Sequence, residues 1–389
     1  LLRIFQFLFA AGCFGIVTST IFTGMVVVAA SRFRRRTMLH NQEFLPPVSI
    51  LKPLHGNEPG LEKNLRGFFE QDYPVFELLF CARQEDDEGL AIARKLALEY
   101  PHVPARIMAC GTAPYANAKV YSLETMERVA SHSIYVVSDS DVRVTPRYLR
   151  EVIKPFADEK TGLVTCLYRG VAIEGGMWAR LEAIGMSIEM SSGAVVSQML
   201  EPIAFALGPT MAARREAVQE IGGFSVLGPY CSDDFLLGNW IAARGWTCRL
   251  SDHVIEHMVL NASFAESVRH QVRWMKSTRA SLPKGHLGTG LTFKLPFGLL
   301  TFCAAWAMHR PVLGAILLGI SLMDCFVQEL CVGALVVQER SLLPKALLFA
   351  IRDAMGFFYW AASYGSRKIL WRGEIFELER EGRMRKVKP

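Results

Sequence analysis

The middle of the sequence predicts an α/β domain, a mostly parallel sheet with helices on both faces, and its two ends predict membrane helices. Three observations carry this expectation. Short β-branched or apolar runs alternate with stretches of helical spacing between about residues 46 and 284. Strands alternating with helices make parallel sheets covered on both sides. Residues Ile4 to Ala30 carry no charged side chain, and further apolar stretches lie beyond residue 294. A bilayer needs roughly 20 consecutive apolar residues to be crossed.

At the N-terminal end, the apolar run is followed by Arg32-Phe-Arg-Arg-Arg36. A cleaved signal peptide is the competing reading, because Val28 and Ala30 resemble a small-residue cleavage site. Such peptides carry about 7–15 apolar residues with their positive charge in front. Here the run is longer and the charge lies behind it, which argues for an anchor. The positive-inside rule then puts the arginines, and the domain C-terminal to them, in the cytoplasm.

The strand candidates are VSILKPL, FELLFCAR, ARIMACG, IYVVSDSD, GLVTCLYRG and FALGPTMAA. Helical spacing marks Asp87–Tyr100 and Pro146–Ala157. In such sheets ligands bind beyond the carboxyl ends of the strands. That is where the polar residues collect. The first run ends at Lys52, the second leads to Asp86 and Asp87, and the fourth ends at Asp139 and Asp141. No GxGxxG or GxxxxGK[ST] occurs, so neither a dinucleotide site nor a P-loop is supported. A divalent ion bridging carboxylates to a diphosphate is the natural alternative, since Mg²⁺ takes one or two carboxylates plus substrate phosphates. On a strand, Asp139 and Asp141 would face one side. Their bland reading is a solvated strand end.

Ser232-Asp233-Asp234 opens an apolar helical stretch after a Gly- and Pro-rich loop. It reads either as a helix cap or as a general base at a helix mouth. In Phe264–Leu282, His270, Arg273 and Trp274 share a helix face. They suit a sugar, lipid or phosphate; an amphipathic helix at the membrane interface explains them equally. His253 and His257 offer a further metal ligand, although an isolated histidine is commonly structural.

Leu295–Met308 and Pro311–Val337 read as a helical hairpin, with Asp324 and Glu329 facing the bundle interior. Leu343–Tyr364 contains Arg352 and Asp353 and reads as a span or an interfacial helix. Two C-terminal spans rather than three keep the basic tail cytosolic. The organisation expected is therefore an anchor and basic flank at 1–36, a cytosolic catalytic domain at 46–284, membrane helices at 291–366 and a basic tail at 367–389. The net charge of +6 is too weak to indicate a nucleic-acid partner. Nine scattered cysteines without metal-ligand spacing read as buried thiols in a reducing compartment.

The order of these landmarks resembles the ceramide glucosyltransferase family, a membrane-anchored branch of the GT-A (nucleotide-diphospho-sugar transferase) enzymes. Within it, the sequence is most like bacterial members associated with hopanoid synthesis. The resemblance runs through VSILKPLHG, NLRGFFEQDYP, FCARQEDD, the NAK at Asn117–Lys119, and SDSDVRV. It continues through GPTMAARREA, DDF, RW, IRDAM and WRG. The family pattern of three aspartate positions falls on Asp87, Asp139 and Asp234, and its final motif on His270–Trp274. His270 stands where the family has Gln or Arg.

The resemblance implies inverting transfer of glucose or N-acetylglucosamine from UDP-glucose or UDP-N-acetylglucosamine to a hopanoid or ceramide-type lipid hydroxyl. The setting implied is a multi-pass protein of a bacterial inner membrane with a cytoplasmic catalytic domain. Asp87 would hold the uracil or ribose, with Lys52 and Lys119 also at the donor. Asp139 and Asp141 would hold Mg²⁺ or Mn²⁺. Asp234 would accept the acceptor proton, and Arg273, beside Trp274, would offset charge on departing UDP. The rivals are a processive polysaccharide synthase, a polyprenyl-phosphate sugar synthase and a nucleotide-sensing membrane protein without catalysis.

Overall fold

The computed structural model describes residues 1–37, 44–173, 176–260, 263–371 and 373–387. Arg372, Lys388 and Pro389 of the expected basic tail lie outside the described residues. The chain starts with α1 (Leu2–Thr37), β1 (Val48–Pro53), α2 (Leu61–Phe69), β2 (Phe76–Ala82), α3 (Glu88–Glu99), β3 (Ala105–Ala109) and α4 (Ala118–Glu127). It continues with β4 (Ile134–Ser138), β5 (Val142–Arg143), α5 (Tyr148–Ile153), β6 (Thr161–Ala172), α6 (Met177–Gly185), α7 (Ser191–Leu200), β7 (Thr210–Arg214) and α8 (Arg215–Glu220). Next come α9 (Asp233–Ala243), β8 (Thr247–Val259), α10 (Phe264–Ser281), α11 (Pro283–Thr289), α12 (Leu295–Ala307), α13 (Pro311–Leu335) and α14 (Leu342–Ala362). The short strands β9 (Lys368–Trp371), β10 (Glu374–Leu378) and β11 (Met384–Lys386) complete the described chain.

These elements form two compact units. Residues 176–199 and 263–284, expected within the catalytic domain, fall in the helical unit with the apolar ends.

The α/β unit is built on an eight-stranded sheet in the order β3-β2-β1-β4-β7-β6-β8-β5. β3, β2, β1 and β4 are parallel to one another, and β6 is parallel to β8. β7 runs antiparallel to both β4 and β6, and β5 antiparallel to β8. The parallel half is dictated by its residues. Val48, Ile50, Leu51, Leu78, Leu79 and Phe80 are wholly buried, as expected where helices cover both faces. Two strands of this sheet were absent from the sequence expectation. β5 has two residues, and β8 interleaves Arg249, Asp252, His253, Glu256 and His257 with its apolar positions.

The tail is structured as a three-stranded sheet in the order β11-β10-β9. Its last turn grips the α/β unit through backbone. Cys231 N donates to Gly382 O at 3.0 Å and Met384 N donates to Pro229 O at 2.8 Å, which together set Tyr230 opposite Arg383 in an antiparallel bridge.

In the helical unit, α1 packs against α12 and α13. A Cβ on Gly12 would fall 2.1 Å from Thr301 Oγ1, and one on Gly15 would fall 2.1 Å from the Phe297 ring. Small residues let helices approach closely where lipid removes the hydrophobic driving force. Asp324 is satisfied within this bundle, accepting a 2.6 Å hydrogen bond from Thr20. Leu2–Arg35 and Pro311–Leu335 are long and apolar enough to cross a membrane.

Candidate active site

The parallel strands converge on a cluster of carboxylates around one lysine. Asp139 lies immediately after β4, and its carbonyl accepts from Val142 N at 3.3 Å, closing a tight turn. Asp139 and Asp141 therefore sit on a turn, and their directions are set by it rather than by strand alternation. Asp139 Oδ1 lies 2.7 Å from Lys119 Nζ. Asp141 Oδ2 lies 2.9 Å from His257 Nε2. Sheet register explains that meeting, because β5 pairs with β8 so that Val142 stands opposite His257.

Lys119 sits on the first turn of α4, and Asn117 caps that helix by accepting from Val120 N at 3.3 Å. The other end of the Asn117 amide donates to Tyr230 O at 3.0 Å and Asp233 Oδ1 at 3.1 Å. Asn117 thus fixes α4 to the first turn of α9. Lys119 Nζ is also 3.7 Å from Asp233 Oδ2. Burial would lower the lysine, but Asp139, Asp233 and Asp234 outweigh it and hold the ammonium well above its ordinary value.

Asp234 stands one residue further along α9. Its Oδ2 accepts from Gly208 N at 2.9 Å and its Oδ1 from Phe235 N at 2.8 Å. A Cβ placed on Gly208 would be 3.0 Å from Asp234 Oδ2 and 3.7 Å from Asp139 Oδ2. The two carboxylates therefore share one small space. Burial first, and then the neighbouring Asp233, push the Asp234 carboxyl up to about 6. We expect Gly208→Ala to cut sugar transfer at least tenfold with the circular dichroism spectrum unchanged, because the methyl displaces the Asp234 carboxylate. Full activity in that variant would show that the close approach has no function.

Asp141 presents the donor chemistry a divalent cation requires. Its Oδ1 has no hydrogen-bond partner among the described residues, beside the His257 imidazole. Burial would raise its carboxyl, but His257, Lys52 and Lys119 hold it below the usual value. Among the described residues no three His, Cys, Asp or Glu side chains make a closed metal cage. An ion completed by substrate phosphates needs none. The residues fit such an ion, with Asp141 and His257 as the better-placed pair.

One expectation is corrected. Lys52, expected at the donor, is wholly buried beneath the turn; it donates to Asp139 O and stands 3.9 Å over the Phe68 ring. Burial lowers it to about 7 against the pull of Asp139 and Asp141. Asp87 caps α3: Oδ1 accepts from Gly89 N at 2.8 Å and Oδ2 from Gly56 N at 2.9 Å. Its carboxylate ties the β1 tip loop to α3. His253 lies apart from the cluster, with its ring 6.0 Å from Tyr148.

Arg273 and Trp274 belong to α10 in the helical unit. A capping box between Ser263 and Glu266 starts the helix. His270 Nδ1 is 2.6 Å from Glu182 Oε1, and its ring lies 4.5 Å from that of Trp274. The sequence assigned no role to Asn117 or Glu182, and read Asp233 only as part of the Ser232–Asp234 helix start. The cap-forming NAK and the doubled aspartate were the available signals for Asn117 and Asp233.

The mixed sheet and carboxylate-lined edge are those of the GT-A fold. A solved structure of similar fold is the mannosyltransferase PcManGT from Pyrobaculum calidifontis, in complex with GDP-Man and Mn²⁺. It is 18% identical, with a TM-score of 0.51 over 91% of this chain and 97% of that one. The chain belongs to glycosyl transferase family 21, whose sequence profile matches residues 13–384. Relatives include ceramide glucosyltransferase 3 of Caenorhabditis elegans, 25% identical over 91% of this chain and 77% of that protein. Ceramide glucosyltransferase 1 of the same organism is 23% identical over 99% and 82%. These relatives and the two long apolar helices mark a membrane-associated protein.

Proposed function

We propose that the chain transfers glucose or N-acetylglucosamine from a UDP-sugar to the hydroxyl of a hopanoid or ceramide-type lipid, with inversion, at the cytosolic face of a membrane it crosses several times. The observation carrying this reading is the shared space at Gly208, where Asp139 and Asp234 meet beside Lys119. A carboxyl raised to about 6 is ionised at neutral pH yet basic enough to take a proton. Asp234 accepts the acceptor hydroxyl's proton as that oxygen bonds to the anomeric carbon and the bond to UDP breaks. Attack from the side opposite the leaving group inverts the centre.

Lys119 offsets charge at the diphosphate and keeps Asp139 in place. Asp141 and His257, with Asp139 beside them, would hold Mg²⁺ or Mn²⁺, which when bound supplies positive charge to the leaving diphosphate. Asn117 and Asp233 fix the start of α9, and with it the direction of Asp234. The role of Arg273, offsetting charge on departing UDP, rests on the family resemblance of the sequence alone. Asp87 and Lys52 support the loop and turn that frame the donor.

Membranes bearing the protein, given radiolabelled UDP-glucose or UDP-N-acetylglucosamine, should yield a labelled lipid. Chelating divalent ions should reduce the label at least tenfold, and Mn²⁺ or Mg²⁺ should restore it. Undiminished transfer after chelation in an Asp141→Asn variant would defeat the reading. Mass spectrometry of the product names the sugar and acceptor together.

A further inference from the structure

The helical unit contains a buried polar cluster that the transfer chemistry does not use. Arg352 on α14 is 2% exposed, and its Nη2 donates at 2.8 Å to both Glu189 Oε2 and Gln271 Oε1. The guanidinium stands 5.3 Å over the ring of Tyr359, two turns further on. Around this arginine, five polar atoms lack a hydrogen-bond partner among the described residues. They are Arg352 Nε and Nη1, Glu189 Oε1, Gln271 Nε2 and Tyr359 Oη. Buried polar atoms are nearly always paired, because an orphan keeps the cost of lost hydration. Five around one side chain are the pattern of a site completed by a ligand.

The local backbone supports that view. Glu189 lies on a π-helical turn, Met186–Met190, between α6 and α7. Such turns occur frequently at functional sites. The Glu189 side chain is 21% exposed, which makes it the accessible edge of the cluster. Two glycines admit the charged groups. A Cβ on Gly185 would lie 1.9 Å from Arg352 Nε, and one on Gly356 would lie 3.1 Å from Glu189 Oε1.

Charge decides the ligand class. Glu189 already neutralises Arg352, Lys294 stands 3.8 Å from Asp353, and Glu182 meets His270. Each cation of this cluster is therefore already matched by a carboxylate, which leaves little to attract a phosphate. The unpaired set is instead one strong acceptor, Glu189 Oε1, flanked by donors from Arg352, Gln271 and Tyr359. It matches an uncharged head that donates one hydroxyl and accepts through an amide carbonyl or a second hydroxyl.

We propose that Glu189, Gln271, Arg352 and Tyr359 receive the neutral, hydroxyl-bearing head of the lipid acceptor and disfavour a lipid phosphate. This site rests on the lipid-acceptor reading above. The test uses the full chain in lipid nanodiscs with its UDP-sugar and, as acceptors, a long-chain N-acyl amino alcohol, a hydroxylated lipid without an amide, and a polyprenyl phosphate. Wild-type protein should transfer to one of the neutral lipids and not to the phosphate. Tyr359→Phe removes one oxygen, and Glu189→Gln removes the charge while keeping the shape. Each should raise the acceptor KM tenfold or more with the donor KM unmoved, and Tyr359→Phe should equal or exceed the wild type in thermal midpoint. An unchanged acceptor KM in both variants, or preference for the lipid phosphate, overturns the site while leaving glycosyl transfer to lipid intact. Wild-type protein that transfers to no lipid overturns the reading beneath it and the site together.

Discussion

Asp234→Asn should lower sugar transfer by about 10²–10⁴-fold, the usual contribution of a positioned general base. Donor binding should survive, since the amide keeps the shape and can still accept from Gly208 N. The wild-type rate, measured as kcat/KM, should climb as pH rises from 5 to 7, because the carboxyl must be ionised to take a proton and its value lies near 6. The variant should lose that limb. Stability should move in the opposite sense. A carboxyl raised from 3.8 to about 6 binds more protons folded than unfolded between those values. Its stabilising contribution is complete below pH 3.8 and is lost as pH rises through 6. At pH 8 the native protein therefore bears the cost of an ionised, partly buried carboxylate. The asparagine variant should be more stable there by about 1–2 kcal/mol, after discounting for partial exposure. Chemical denaturation at pH 8 reads this directly; a less stable variant would refute the assignment of strain to Asp234.

The second large effect is expected at Lys119. Replacing it by methionine leaves Asp139 and Asp233 facing each other without their shared cation. Removing one partner of a buried ion pair typically costs about 3–5 kcal/mol, and the partial exposure here reduces this to roughly 2–3. Donor KM should rise at least tenfold as well. Adding Asp139→Asn should recover most of the stability and none of the activity. That cycle separates the lysine's structural work from its role at the diphosphate. A double variant as unstable as Lys119→Met alone would show that the lysine acts elsewhere.

Strongly periodic features were legible in the sequence. The apolar strands β1, β2, β3, β4, β6 and β7 and the helices α3, α10, α12 and α13 lie where their spacing predicts them. The aspartates at the carboxyl edge could be picked out because charge is conspicuous at the end of an apolar run. The features that escaped depended on long-range pairing. β8 is too polar to stand out, yet its register delivers His257 to Asp141. The segment Met177–Leu200 carries Glu182 and Glu189, whose partners lie 85 or more residues away on α10 and α14. Lys52 misled for a related reason. A lysine or aspartate at a strand tip has the same sequence signature whether it faces substrate or braces the loop beneath it.

The backbone clasp between Pro229–Cys231 and Gly382–Met384 sets the timing of assembly. The loop leading into α9 gains those two hydrogen bonds only once residues 382–384 have been synthesised, later than α14. The loop in front of Asp234 is thus fastened only when residues 382–384 are in place.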